Sequence, residues 1–100
     1  MTVRHIVTWK LSGESVADRD AQAAEIAAVL EPLVGRVPGL QSLKLHRNTL
    51  NHEDNWDLTL VSLHDDAGAL AAYAVHPEHL AAVDVVKQRT VSRACVDLTE

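Results

Sequence analysis

Three features of the sequence predict an α+β fold built on one four-stranded antiparallel sheet with helices on one face. Segments of period two and segments of helical period follow one another in the order β-α-β-β-α-α-β. A polar, aperiodic loop joins the second and third strands, as an antiparallel hairpin requires. The strands carry apolar residues on both faces at mid-length, more than one layer of helices can cover. With 100 residues the chain is read as a single domain, 1–100.

The elements follow in order. Thr2 to Leu11 alternates, with Val3, His5, Val7 and Trp9 on one face and Arg4, Ile6, Thr8 and Lys10 on the other, so it reads as a strand. Ser15 followed by Asp18 resembles a capping box and opens a helix. Its apolar stripe is Val16, Ala23, Ile26, Ala27, Leu30 and Leu33, opposite Asp18, Arg19, Asp20, Gln22 and Glu25. Pro32 lacks an N–H and clashes with the preceding turn, so the regular helix ends or kinks near Glu31, with Gly35 as a stop. Val37-Pro38-Gly39 is a turn. Leu40 to Arg47 is the second strand, Asn48 to Asn55 the loop, and Trp56 to His64 the third strand. Asp65 or Asp66 caps a short helix over Ala67 to Val75. His76 precedes proline and leaves the helical region, while Pro77 suits the first position of a further helix running to about Arg89. Val91 to Leu98 is the fourth strand. This order is a split βαβ, ferredoxin-like arrangement. The sheet face away from the helices presents Ile6, Thr8, Val61 and Leu63, too apolar for open water, and pairing two sheets face to face in a two-fold homodimer would cover it.

Composition narrows the function. Apolar residues make up 47% and charged residues 23%, a globular balance. Nine Lys/Arg against fourteen Asp/Glu give a net charge of −5 and no basic cluster, which excludes nucleic acid as the expected partner. No stretch nears the roughly 18 apolar residues of a membrane span, so no membrane partner is expected. Cys95 is the lone cysteine, which rules out an internal disulfide; with no secretory signal after Met1, the expected location is cytoplasmic. Cys95 itself is expected to be partly buried and inert. No glycine-rich phosphate loop or Rossmann signature occurs, so no cofactor is implied.

Candidate chemistry gathers in Tyr73-Ala74-Val75-His76-Pro77-Glu78-His79, which holds two of the six histidines and the single tyrosine. His79 falls in the first turn of the helix opened by Pro77, where the helix dipole disfavours imidazolium and keeps a general base neutral. Tyr73 can orient a carbonyl or donate a proton. The structural alternative has His76 capping the helix, His79 bonding a backbone group and Tyr73 filling the core. His5, on an apolar strand face, is most simply a satisfied core histidine. His76 and His79 need not converge on a cation, since one precedes the helix and the other lies within it, and His52-Glu53-Asp54 reads as solvated loop; no metal site is assigned.

Val-Arg-His-Ile-Val at 3–7, Val-Pro-Gly-Leu at 37–40, Tyr73 with His-Pro-Glu-His at 76–79, and Val-Asp-Leu at 96–98 resemble the stress-responsive α/β-barrel (Dabb) proteins over essentially the whole chain. The resemblance implies a ferredoxin-like protomer and a homodimer whose two sheets form an α+β barrel. Many bacterial members have no assigned function, whereas some plant members are polyketide cyclases that use a tyrosine and a histidine of this stretch. Carried over, it implicates His79, Tyr73 and His5 as catalytic. Where those cyclases have bulky aromatic residues, this chain has Ala23, Ala24 and Ala27, so the cyclase substrate does not transfer; Trp9 refills part of the volume. The expected ligand-binding residues are Val7, Trp9, Ala27, Leu60 and His76. The leading expectation is a cofactor-free cyclase, isomerase or lyase acting on a small carbonyl-bearing molecule in an apolar pocket. The alternatives are a non-catalytic stress-response or ligand-binding dimer and, by analogy of fold, a cofactor-free or haem-linked monooxygenase.

Overall fold

The computed structural model describes all 100 residues. The observed order is β1 (Val3–Leu11), α1 (Val16–Leu30), a 3-10 turn (Glu31–Leu33), β2 (Leu40–Arg47), β3 (Leu58–His64), α2 (Ala67–Val75), α3 (Pro77–Lys87) and β4 (Thr90–Thr99). The strands form one antiparallel sheet in the order β2-β3-β1-β4, the ferredoxin-like arrangement. All seven expected elements are present. Pro32 tightens the end of α1 into the 3-10 turn instead of merely stopping it. β3 starts two residues later than its alternation suggests, because Asp57 N–H donates to the Trp9 carbonyl and the Asp57 carbonyl accepts from Asn48 N–H, both at 2.9 Å.

The cap predictions hold in detail. Ser15 Oγ accepts from Asp18 N–H at 3.0 Å, and Asp66 accepts from Ala69 N–H at 2.8 Å. Gly39 is required at its position: its φ is +84°, and a Cβ there would lie 2.7 Å from the Ala69 Cβ. With its carbonyl accepting from Asp65 N–H at 2.9 Å, it fixes where α2 leaves the sheet.

Alternation on β1 and β3 sorts the two faces. Val3, Val7, Trp9 and Leu11 join Leu58 and Leu60 beneath the helices, packed on Ile26 and Leu30 of α1 and on Ala82 and Val86 of α3. α2 buries only Tyr73. Opposite, Ile6 pairs with Val61 and Val96, and Arg4 with Leu63 and Leu98, so a continuous apolar strip runs across the helix-free face. Val96 and Leu98 are 55% and 43% exposed. Val16, placed on the buried stripe of α1 by spacing, is exposed at the first residue of the helix.

Candidate functional site

The site is built from three strands and one helix bend. β1 carries His5 to the helix-side face and β3 carries Ser62 and His64 to the same face, where His5 pairs with Ser62 across the ladder. Above them, α2 ends at Val75, His76 takes an extended conformation (φ −64°, ψ 134°), and Pro77 opens α3. The bend turns Tyr73 and His79 towards one another, with ring centroids 4.1 Å apart. His64 meets the other side of Tyr73 edge-on at 4.9 Å, and His5 lies 6.3 Å from Tyr73 and 6.1 Å from His64. Four aromatic polar rings thus meet under the bend.

Each ring has its own electrostatic setting. Burial lowers the pKa of His79, and the charges of His5, Arg93 and His76 lower it further, while a hydrogen bond to the Ala74 carbonyl raises it in part. Burial, and not the helix N-terminus invoked from the sequence, is the largest cause. With Nδ1–H donating to the Ala74 carbonyl at 3.3 Å, His79 keeps Nε2 as an unprotonated acceptor. Burial pushes the Tyr73 phenol up to about 12, so it remains a donor at any physiological pH. The Tyr73 side chain makes no hydrogen bond within the chain. His64 is fully buried; its Nε2 bonds Ser62 Oγ at 2.9 Å and its Nδ1 has no partner. Burial is also the main cause of its lowered pKa. His5 Nδ1 donates to Asp97 Oδ1 at 2.5 Å.

Beside the rings is a half-open cavity of about 510 Å³. His5, Tyr73 and His79 supply polar groups at the bend, Lys87, Thr90, Ser92 and Arg93 supply others, and Val7, Trp9, Leu60, Val83 and Val86 are among its apolar lining. A cavity of a few hundred Å³ with few polar groups suits a small organic ligand.

The expected residues divide. His5, Tyr73, His79, Val7, Trp9 and Leu60 share this cavity. Ala27 does not: it lies on a separate shallow depression with Ala23, Ala24, Leu45 and Leu58, because the α1 face that carries it looks towards β2. His76 does not line the cavity either. Its Nδ1 accepts from Glu78 N–H at 3.2 Å, capping α3, and its ring is drawn outward. The local structural roles envisaged for His76, His79 and Tyr73 are all present, and for the last two they coexist with cavity exposure. Cys95 differs from expectation: β4 is an edge strand, so Cys95 is exposed, with His5 Nδ1 at 3.5 Å. Sequence reasoning missed His64. The signal was there, since alternation places it on the buried face of its strand, but it lies nine residues before Tyr73 and nothing in spacing joins them.

The fold and cavity define a ferredoxin-like α+β domain with a histidine- and tyrosine-rimmed apolar pocket. The chain belongs to the family of the stress responsive A/B barrel domain (Dabb), whose model matches residues 3–100. A dimeric ferredoxin-like protein of unknown function from Bacteroides fragilis is 29% identical, with a TM-score of 0.86, covering 99% of this chain and 96% of that one. A hydroxynitrile lyase from Passiflora edulis shares the fold at 15% identity and a TM-score of 0.79, covering 97% and 91%. The cofactor-independent oxygenase SnoaB from Streptomyces nogalater does so at 17% and 0.69, covering 99% and 92%. No curated protein matches the sequence. No helix is long and apolar enough to cross a membrane.

Proposed function

We propose that the protein is a homodimer, joined through its helix-free sheet faces into an α+β barrel, in which each protomer binds a small, mostly apolar carbonyl compound and transfers a proton without a cofactor. The observation that carries this reading is the shared cavity of Tyr73 and His79, their rings 4.1 Å apart, with His5 on the same wall. His79 Nε2 takes a proton from the carbon beside the carbonyl. The Tyr73 hydroxyl donates to the carbonyl oxygen as negative charge gathers there. His5, held by Asp97, is the supporting polar group. Low polarity around the rings strengthens both interactions. The apolar strip of Ile6, Val61, Leu63, Val96 and Leu98 supports the dimer, as does the dimeric state of the Bacteroides fragilis protein. That a hydroxynitrile lyase and a cofactor-independent oxygenase share the fold supports a catalytic role, and the oxygenase supports one without a cofactor.

The test is proton exchange in deuterated water, followed by NMR, on small apolar ketones and 1,3-diketones. Exchange above an equal concentration of free imidazole, lost in His79→Ala while the dimer persists in sedimentation, is the expected result. No acceleration by the intact protein across such a series sinks the catalytic reading. A second reading, a ligand-binding dimer without turnover, is favoured by the structural bonds His76 and His79 already make. It predicts saturable binding of the same compounds without exchange.

A further inference from the structure

One cluster beside the cavity has no role in that chemistry beyond holding His5. The β1–β4 register sets His5 opposite Asp97 and Val7 opposite Cys95. All three side chains project from the helix-side face, where they lie beside Tyr73, His79 and Arg93 around a recess of about 430 Å³. His5 Nδ1, Cys95 Sγ and an Asp97 carboxylate oxygen fall within 4.8 Å of one another. Sγ is 3.5 Å from Nδ1 and 3.7 Å from Oδ1.

These separations match a tetrahedral metal. With Zn–S of about 2.3 Å and Zn–N and Zn–O of about 2.0 Å, the S···N and S···O edges of a tetrahedron come to about 3.5 Å and the N···O edge to about 3.3 Å. Both sulfur edges are therefore in place before any ion enters. The remaining edge is the 2.5 Å His5–Asp97 hydrogen bond, which opens when the imidazole proton is replaced by a cation. Two antiparallel strands hold the donors, so little backbone has to be ordered for them to converge.

We infer that His5 Nδ1, Cys95 Sγ and the Asp97 carboxylate form a three-ligand site for a divalent zinc-like cation, its fourth position open to the recess. The nitrogen, thiolate and carboxylate set selects zinc over magnesium or calcium, which take oxygen ligands. Binding releases the thiol proton to solvent, while the His5 proton moves from Nδ1 to Nε2, so that the ring stays neutral and Nδ1 is free to coordinate. Thiolate, carboxylate and neutral imidazole with a dication give a centre of zero net charge. Arg93, on the same wall, repels a free cation but not the assembled neutral centre. Tyr73 and His79 also line the recess, so a water or carbonyl oxygen on the fourth position would sit among the proposed proton-transfer groups.

The experiment needs no substrate, so its outcome is independent of the proton-transfer reading. Tag-free full-length protein is stripped with chelator, kept reduced with a phosphine, and titrated with zinc by calorimetry and with cobalt(II) by absorption. One zinc per chain, and a thiolate-to-cobalt charge-transfer band with tetrahedral ligand-field bands, are expected. Partners outside the ligand shell are already worth about 10–100-fold in metal affinity, so Cys95→Ser should weaken zinc by at least about a hundredfold and remove the charge-transfer band. Asp97→Asn should weaken zinc at least about tenfold, and it decides the matter with the same readouts if Cys95→Ser does not fold. Absence of saturable binding, a cobalt spectrum without the thiolate band, or equal zinc affinity in both variants overturns the site; the last outcome places the metal on exposed histidines instead.

Discussion

Two polar clusters lie on the helix-side face of this sheet, and they are built on opposite plans. At the end where β1 meets the β2–β3 hairpin, Asp57 is 6% exposed and surrounded. Its Oδ2 accepts from Leu11 N–H at 2.8 Å, and its Oδ1 faces Arg19 at 3.3 Å and Arg47 at 3.9 Å. Arg47 also donates to the Asn48 and Asp57 carbonyls and to Asp20, and Arg19 to the Gly13 carbonyl. Each arginine leaves one buried nitrogen without a hydrogen bond, and Oδ1 meets the two guanidinium groups as ion pairs. Toward the bend between α2 and α3, His5, His64, Tyr73 and His79 touch ring to ring, and the Tyr73 hydroxyl and His64 Nδ1 are left without partners. The first cluster closes on itself and ties three elements together. The second sets His5, Tyr73 and His79 on a cavity wall, with His64 fully buried behind them. Burial alone therefore does not separate structural from functional polar residues; whether they pair with opposite charge or face a cavity does.

The sharpest way to break the comparison is to open the closed cluster. Asp57→Ala strands two nearly buried cations and the Leu11 N–H, and breaking a buried pair from one side costs about 3–5 kcal/mol. Urea unfolding should show that loss; a cost under about 1 kcal/mol would mean the cluster is not structural. The same substitution depth in the open cluster should act elsewhere. His79→Ala is expected to lower proton exchange by about 10²–10⁴-fold, the usual worth of a positioned base, while urea stability changes by less than about 1 kcal/mol. If stability falls instead and exchange does not, His79 is a structural residue like Asp57.

The contrast also explains what the sequence disclosed. Period-two and helical patterns, Pro32, Pro77 and the caps at Ser15 and Asp66 are local signals, and each element they predict is present. Tyr73 and His79 stood out as candidates because they flank the His76-Pro77 bend; alternation put His5 only on the apolar face, and the resemblance to the Dabb proteins made it a candidate. The Ala27 expectation failed because a helical stripe has several sides: Ile26 and Leu30 face the sheet centre, while Ala27 looks towards β2. His64, and the meeting of Cys95 and Asp97 with His5, depend on register between strands far apart in sequence, which no local pattern encodes. The Asp57 cluster escaped for the same reason: Arg19, Arg47 and Asp57 look like ordinary surface charges until the hairpin and α1 are docked together.

Smaller effects refine the comparison. Tyr73→Phe removes only a hydroxyl with no partner in the chain, so stability should be nearly unchanged. A hydrogen bond to a charged group is worth about 1.5–3 kcal/mol, so exchange should fall about 10–100-fold. An unaltered rate would confine the phenol to packing.

The smallest effect is a slope. His64 and His79 both have pKa values lowered in the folded protein, chiefly by burial, so the fold holds them neutral. Above the unfolded histidine pKa of about 6.5 neither state is protonated and stability is independent of these groups. As pH falls below that value the unfolded chain takes up protons that the folded chain refuses, and stability declines until the folded pKa values are reached. Each such proton contributes up to about 1.4 kcal/mol per pH unit. His64→Phe keeps a ring against Tyr73 and removes one proton from the balance, so the decline of urea stability below pH 6.5 should become shallower by up to that amount. An unchanged slope would mean that folded His64 takes up its proton at least as readily as in the unfolded chain; the open cluster would then hold a buried charge at low pH, as the closed one does.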